Sequence, residues 1–92
     1  MFAIAEQSMN SKQRQTLEAI FSNPVKATIK WQDIEALLVA IGCEMSEGSG
    51  SRVRFTQSGR TLFIHRPHPK PDTKQYVVRT VREFLTDLGI KP

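Results

Sequence analysis

Apolar and polar residues in the first half of this chain repeat at the period of a helix. Leu17, Ile20 and Phe21 fall at i, i+3 and i+4, and Asn10 followed by Gln13 forms the signature of a capping box. A first helix is therefore predicted over 10–22, closed by Asn23-Pro24. A loop through Val25–Thr28 leads to a second helix over 30–41. Its apolar stripe is Trp31, Ile34, Leu37, Leu38 and Ile41, and Asp33 and Glu35 sit near the positive N-terminal end. Gly42 stands where a left-handed residue ends a helix.

After Gly42 the period becomes 2. Cys43-Glu44-Met45-Ser46 alternates, the small residues of Gly48–Ser51 interrupt, and Arg52-Val53-Arg54-Phe55-Thr56 alternates again. Val53 and Phe55 are expected to face the core, with Arg52, Arg54 and Thr56 facing out. Ser58-Gly59 predicts a two-residue hairpin turn, and Arg60–His65 the return strand. Its run Leu62-Phe63-Ile64 suits a central position in the sheet. Pro67, Pro69 and Pro71 forbid further regular structure, and Asp72 with Gln75 resembles a third helix start. Val77, Val81, Phe84, Leu85 and Leu88 give that helix its apolar stripe, which Gly89 ends. The order α-α-β-β-β-α predicts an α+β domain, a three-stranded antiparallel meander with helices on one face. Residues 1–9 carry no pattern and are expected to be dispensable, leaving 10–92 as a single domain.

Ninety-two residues bury only about 60–65% of the surface of their unfolded chain, so the core is thin and a deep cofactor cleft is not expected. Chemistry, if any, belongs on the surface, with a partner supplying much of the site and with no cofactor. Cys43 is the single cysteine, which fits a reducing compartment better than a disulfide-stapled secreted domain. The apolar start is interrupted by Glu6 and is too short for a leader or a membrane span, so a soluble cytoplasmic protein is expected.

Charge distribution narrows the partner. Between Ser51 and Arg82 stand eight basic residues (Arg52, Arg54, Arg60, Arg66, Lys70, Lys74, Arg79 and Arg82) against Asp72 alone, a net of +7; the remainder carries −3 and the chain +4. Such a split points to a polyanion-binding face on a domain otherwise kept soluble by acids. Arg52 and Arg54, two apart on one strand, make a row suited to phosphates along a backbone, and Arg60 is expected to add to it from the turn. The loop Gly48–Ser51, with Gly50 and Ser51 next to the arginine row, is small and flexible enough to let that backbone approach. Arg66, Lys70 and Lys74 extend the basic character beyond the hairpin.

Both histidines, His65 and His68, lie in Ile64-His65-Arg66-Pro67-His68-Pro69-Lys70. Two histidines and one distant cysteine without a nearby acid make a poor zinc site, and no metal is expected. RNA, however, carries its own nucleophile, the 2′-hydroxyl. Cleavage then needs a base, an acid and cations around the phosphate, and histidine serves in either proton role. The residues alone leave open whether His65 and His68 catalyse or only accompany a phosphate-binding surface. DNA binding through the first two helices as a helix-turn-helix fits less well, because the second helix offers Asp33 and Glu35 to a groove with a single lysine, Lys30.

From about Ile29 to Ile90 the chain resembles the HicA family of toxins. The likeness rests on a helix with an Ile34-Glu35-x-Leu37-Leu38 core ending in Gly42 and on Gly50-Ser51 opening an arginine-bearing strand. It continues through the turn Ser58-Gly59-Arg60, the apolar strand running into Pro67-His68-Pro69, and the closing Val81-Arg82-x-Phe84-Leu85 helix ending in Leu88-Gly89-Ile90. The resemblance implies a fold similar to double-stranded RNA-binding domains, metal-independent cleavage of mRNA that arrests translation, and a HicB-like antitoxin partner covering the active surface. In that family the usual catalytic histidine directly follows the glycine-serine pair; here the position is Arg52. The resemblance therefore leaves two outcomes, cleavage through His65 or His68, or RNA binding with little cleavage. The helix over 10–22 lies outside the usual short toxin and is expected to pack on the core or widen the antitoxin contact.

Overall fold

A computed structural model of the chain describes residues 9–24, 28–67 and 72–92. The elements are α1 (Ser11–Ile20), α2 (Trp31–Ala40), β1 (Glu44–Glu47), β2 (Arg52–Gln57), β3 (Arg60–His65) and α3 (Gln75–Asp87). This is the α+β order α-α-β-β-β-α, with one antiparallel sheet in the order β1-β2-β3.

Each element follows from its local chemistry. Asn10 caps α1 by accepting from the Gln13 N–H, and the Gln13 side chain accepts from the Asn10 N–H in return, which satisfies donors that a helix start leaves unpaired. Gly42, at φ +101, ends α2 in a conformation that costs an L-residue strain. A Cβ there would also meet Gln57 Nε2 at 2.9 Å, and that nitrogen is already committed to the Ile41 carbonyl at 2.7 Å. Ser58 and Gly59, at φ 53 and 76, form the two-residue turn in which both central residues are left-handed, so that β2 and β3 twist together.

One face of the sheet, carrying Val53, Phe55, Leu62 and Ile64, packs against Trp31, Ile34, Leu37 and Leu38 of α2 and Val78, Val81, Phe84 and Leu85 of α3. Trp31 meets Phe55 edge-on at 6.1 Å between ring centroids and so packs rather than presenting itself to a ligand. Helix α1 adds Leu17 and Ile20 to the same core and packs against α2 and α3. Met9, which the sequence pattern places outside the domain, is buried with them at 6% exposure.

Three expectations need correction. Strand β3 is an edge strand, because β2 alone lies between two neighbours; Phe63, midway along the apolar run, points away from the core at 72% exposure. Helix α3 does not begin with a capping box at Asp72. Its N-cap is Lys74, without a side-chain cap, because residues 72–73 are drawn into a bridge with the chain before α2, where the Thr73 N–H donates to the Ile29 carbonyl at 2.9 Å. Finally, Val78 rather than Val77 is the fully buried member of the first turn of the α3 stripe.

Candidate functional site

The outer face of the sheet is set by the pleat. Val53 and Phe55 face the helices, so Arg52 and Arg54 must face away. On β3, burying Leu62 and Ile64 turns Thr61, Phe63 and His65 outward. The register then pairs Arg52 with His65 and Arg54 with Phe63. The Arg66 N–H bonds the Ser51 carbonyl at 2.8 Å, which makes Ser51/Arg66 and Val53/Ile64 hydrogen-bonded positions. Arg52/His65 and Arg54/Phe63 are thus the closer, non-hydrogen-bonded pairs, with side chains starting about 4.5–5.5 Å apart.

These residues surround a groove of about 440 Å³ lined by Ser46, Glu47, Gly48, Arg52, Arg54, Phe63 and His65, among others. That volume lies within the range of about 300–1,000 Å³ typical of small-ligand sites. Arg54 Nε bonds Ser46 Oγ at 3.1 Å, which draws the guanidinium toward β1. Gly48 leaves room for the stem of Arg52: a Cβ there would stand 3.4 Å from that of Arg52. Two guanidinium groups and an imidazole facing one groove can hold a phosphate and exchange a proton with a hydroxyl beside it.

Several of the basic residues singled out in the sequence lie elsewhere. Arg66 turns to the helix side, where Nε and Nη2 bond both carboxylate oxygens of Glu35 at 3.2 and 3.3 Å, and Nη2 also reaches Glu47 at 3.1 Å. Hydrogen bonding to Glu35, chiefly, raises the Arg66 guanidinium above its already high value, so it keeps its charge. Arg60 has the parity of Leu62 and lies 3.9 Å from Asp87 of α3. It stands at the far end of the hairpin from His65, about 17 Å along the strand. Arg82, half-buried, donates to the Ile20 and Ser22 carbonyls at the end of α1. Gly50 is left-handed and open to solvent beside exposed Ser51, and Lys74 is exposed at the start of α3. His68 and Lys70 lie outside the described residues. Gly48, from the small-residue loop, lines the groove as expected of that loop, and Ser46, Glu47 and Phe63 join it without a sequence signal for nucleic-acid contact beyond the alternation of β3, which contains the outward turn of Phe63.

The other surfaces offer less. The exposed side of α2 carries Gln32, Ala36 and Val39, uncharged residues that do not make a DNA recognition helix. Among the described residues no helix is long and apolar enough to cross a membrane.

A small α+β domain whose sheet has one face against helices and one open, arginine-bearing face with a histidine is the class defined by these features. The family model of the HicA toxin of bacterial toxin–antitoxin systems matches residues 31–90, and the chain belongs to this family. No curated protein and no solved structure matches it. Membership makes the chain the toxin member of a toxin–antitoxin pair, with an antitoxin as its partner. Helix α1 lies before the matched residues but shares the core.

Proposed function

We propose that the chain is a metal-independent endoribonuclease that cleaves mRNA, with a HicB-like antitoxin as its inhibitor. The observation that carries the reading is the register of Arg52 with His65. The position after Gly50-Ser51, where the family resemblance places the catalytic histidine, holds an arginine, and the residue directly across the hairpin from it is a histidine. The imidazole is displaced by one strand while facing the same groove.

In this reading Arg52 and Arg54 hold the scissile phosphate and stabilise the charge that builds on its oxygens. His65 takes the proton of the ribose 2′-hydroxyl as that oxygen attacks phosphorus. The bond to the 5′-oxygen breaks, and that oxygen leaves as a hydroxyl after protonation by solvent or by His68. The products are a 2′,3′-cyclic phosphate and a 5′-hydroxyl end. RNA supplies the nucleophile, so the reaction needs no metal or cofactor. Gly50 and Ser51, directly before Arg52, let the backbone approach, and Lys70 and Lys74 are assigned to further phosphates on their charge alone, while the ion pairs of Arg66 and Arg60 argue for structural roles for those two side chains.

The test is induced expression in a bacterial host with and without the neighbouring open reading frame, combined with incubation of purified protein with RNA in chelator. Growth arrest and RNA loss, relieved by the neighbour and by His65→Ala, are expected, with RNA binding retained by His65→Ala. A second reading, an RNA-binding module that does not cleave, is favoured by Arg52 at the usual histidine position. Intact RNA after long incubation with folded wild-type protein would establish it in place of the nuclease.

A further inference from the structure

We propose that Phe63 is a base-stacking platform, so that the RNA engaged by the groove is single-stranded at the point of contact. The inference rests on the reading of the groove as an RNA site and adds the conformation of the substrate. Phe63 is the most exposed large apolar side chain among the described residues, yet it sits at the centre of a strand whose neighbours Leu62 and Ile64 are buried. Its cross-strand partner is Arg54, its same-face neighbour along β3 is His65, and Arg52 lies diagonally opposite. The Arg54 guanidinium is bonded to Ser46, on the side of β2 away from β3.

An aromatic ring flanked by two arginines and a histidine on an open sheet face is the arrangement that holds an unpaired nucleotide. The ring takes the base face, the guanidinium groups take the phosphates, and the imidazole lies beside the ribose. A duplex offers such a ring nothing, because its base faces are already stacked on one another. The opposite charge of the face and of a phosphate backbone selects a nucleic acid over a protein partner here. A protein would also want a contiguous apolar area, and the outer face offers one ring among polar groups.

The test is equilibrium binding of a mixed-sequence single-stranded oligoribonucleotide, 2′-O-methylated to block cleavage, and of its duplex, to wild type, Phe63→Ala, Phe63→Leu and Phe63→Trp. Because the ring is exposed, all four are expected to melt at similar temperatures. Phe63→Ala and Phe63→Leu should weaken single-strand binding about 5- to 150-fold, Phe63→Trp should retain it, and duplex binding should not move. Phe63→Leu binding single strands as wild type does would overturn stacking, since leucine keeps the apolar area without the ring. Unchanged RNA binding by Phe63→Ala, with rescue by the antitoxin lost, would assign the ring to the protein partner and overturn the proposal. A folded wild type that binds no RNA overturns the nuclease reading itself, a result distinct from one in which RNA binds and is indifferent to position 63.

Discussion

Replacing Glu35 by alanine tests how the groove is held from behind. Glu35 Oε1 accepts from the Trp31 indole at 2.8 Å and from Arg66 Nε at 3.2 Å, and Oε2 accepts from Arg66 Nη2 at 3.3 Å. Its side chain is 26% exposed, whereas Glu47, the other partner of Arg66, is 62% exposed. A hydrogen bond to a charged group contributes about 1.5–3 kcal/mol, and leaving the buried indole N–H unpaired adds roughly 1–3 kcal/mol. Water reaching a quarter-exposed site replaces part of both, so Glu35→Ala is expected to cost about 2–3 kcal/mol in all. For a domain of this size that is a fall in Tm of roughly 10–20 °C. Glu47→Ala, which removes a solvent-exposed pair, should cost under about 1 kcal/mol. Glu35→Gln, which keeps an acceptor for the indole, should fall between them. Thermal and urea denaturation of the three variants measure this directly. Were Glu35→Ala within about 1 kcal/mol of wild type, or no worse than Glu47→Ala, the account of Arg66 as a structural clasp would be wrong.

Arg82→Ala should destabilise the fold by about 1–2 kcal/mol by releasing the last carbonyls of α1, yet leave the salt dependence of RNA binding unchanged. Arg52→Ala should do the reverse, reducing the slope of log K against log salt by about 0.7–0.9 with little loss of Tm. Gly59→Ala places a side chain in open space at φ +76, so only backbone strain opposes it; a loss of about 1 kcal/mol in chemical denaturation is expected. Burial pushes the Cys43 thiol up to about 11, so it should resist a thiol reagent at pH 8 until the protein unfolds. The same shift has a stability consequence: well below pH 9 the thiol is protonated in both states and its contribution is constant. From pH 9 to 11 only the unfolded thiol ionises, so stability should fall as pH rises, and Cys43→Ala should flatten that fall.

The parts of this fold that strand and helix periodicity reach are those governed by near neighbours. The α1 capping box, the Ser58-Gly59 turn and the outward row of Arg52 and Arg54 each depend on residues within four positions. Alternation also contains the fate of Arg60 and Phe63, since Arg60 shares the parity of Leu62 and Phe63 that of His65. Reading Leu62-Phe63-Ile64 as a continuous apolar run hid both. The start of α3 was not legible, because the backbone of residues 72–73 answers to Lys30 and Ile29, more than forty residues earlier in the chain. Nor were the clasps made by Arg66 and Arg82. Their partners, Glu35 and the end of α1, come close only once the helices have packed, and a tally of charge along the sequence assigns both cations to a polyanion.

The pleat of the hairpin also bears on how a site of this kind can change over evolutionary time. On β2 and β3 the groove's side chains Arg52, Arg54, Phe63 and His65 each hang from a position next to one that holds the core, and none of the four is itself buried. Stability and chemistry therefore draw on alternate letters of the same two strands. An imidazole can leave one strand for its facing slot on the other without a void opening or a buried charge appearing in the transition. The exchange of Arg52→His with His65→Arg would be expected to give a protein of unchanged melting temperature. A lineage can thus pass through either arrangement, or through one with no histidine at all, and still present its antitoxin with a folded partner.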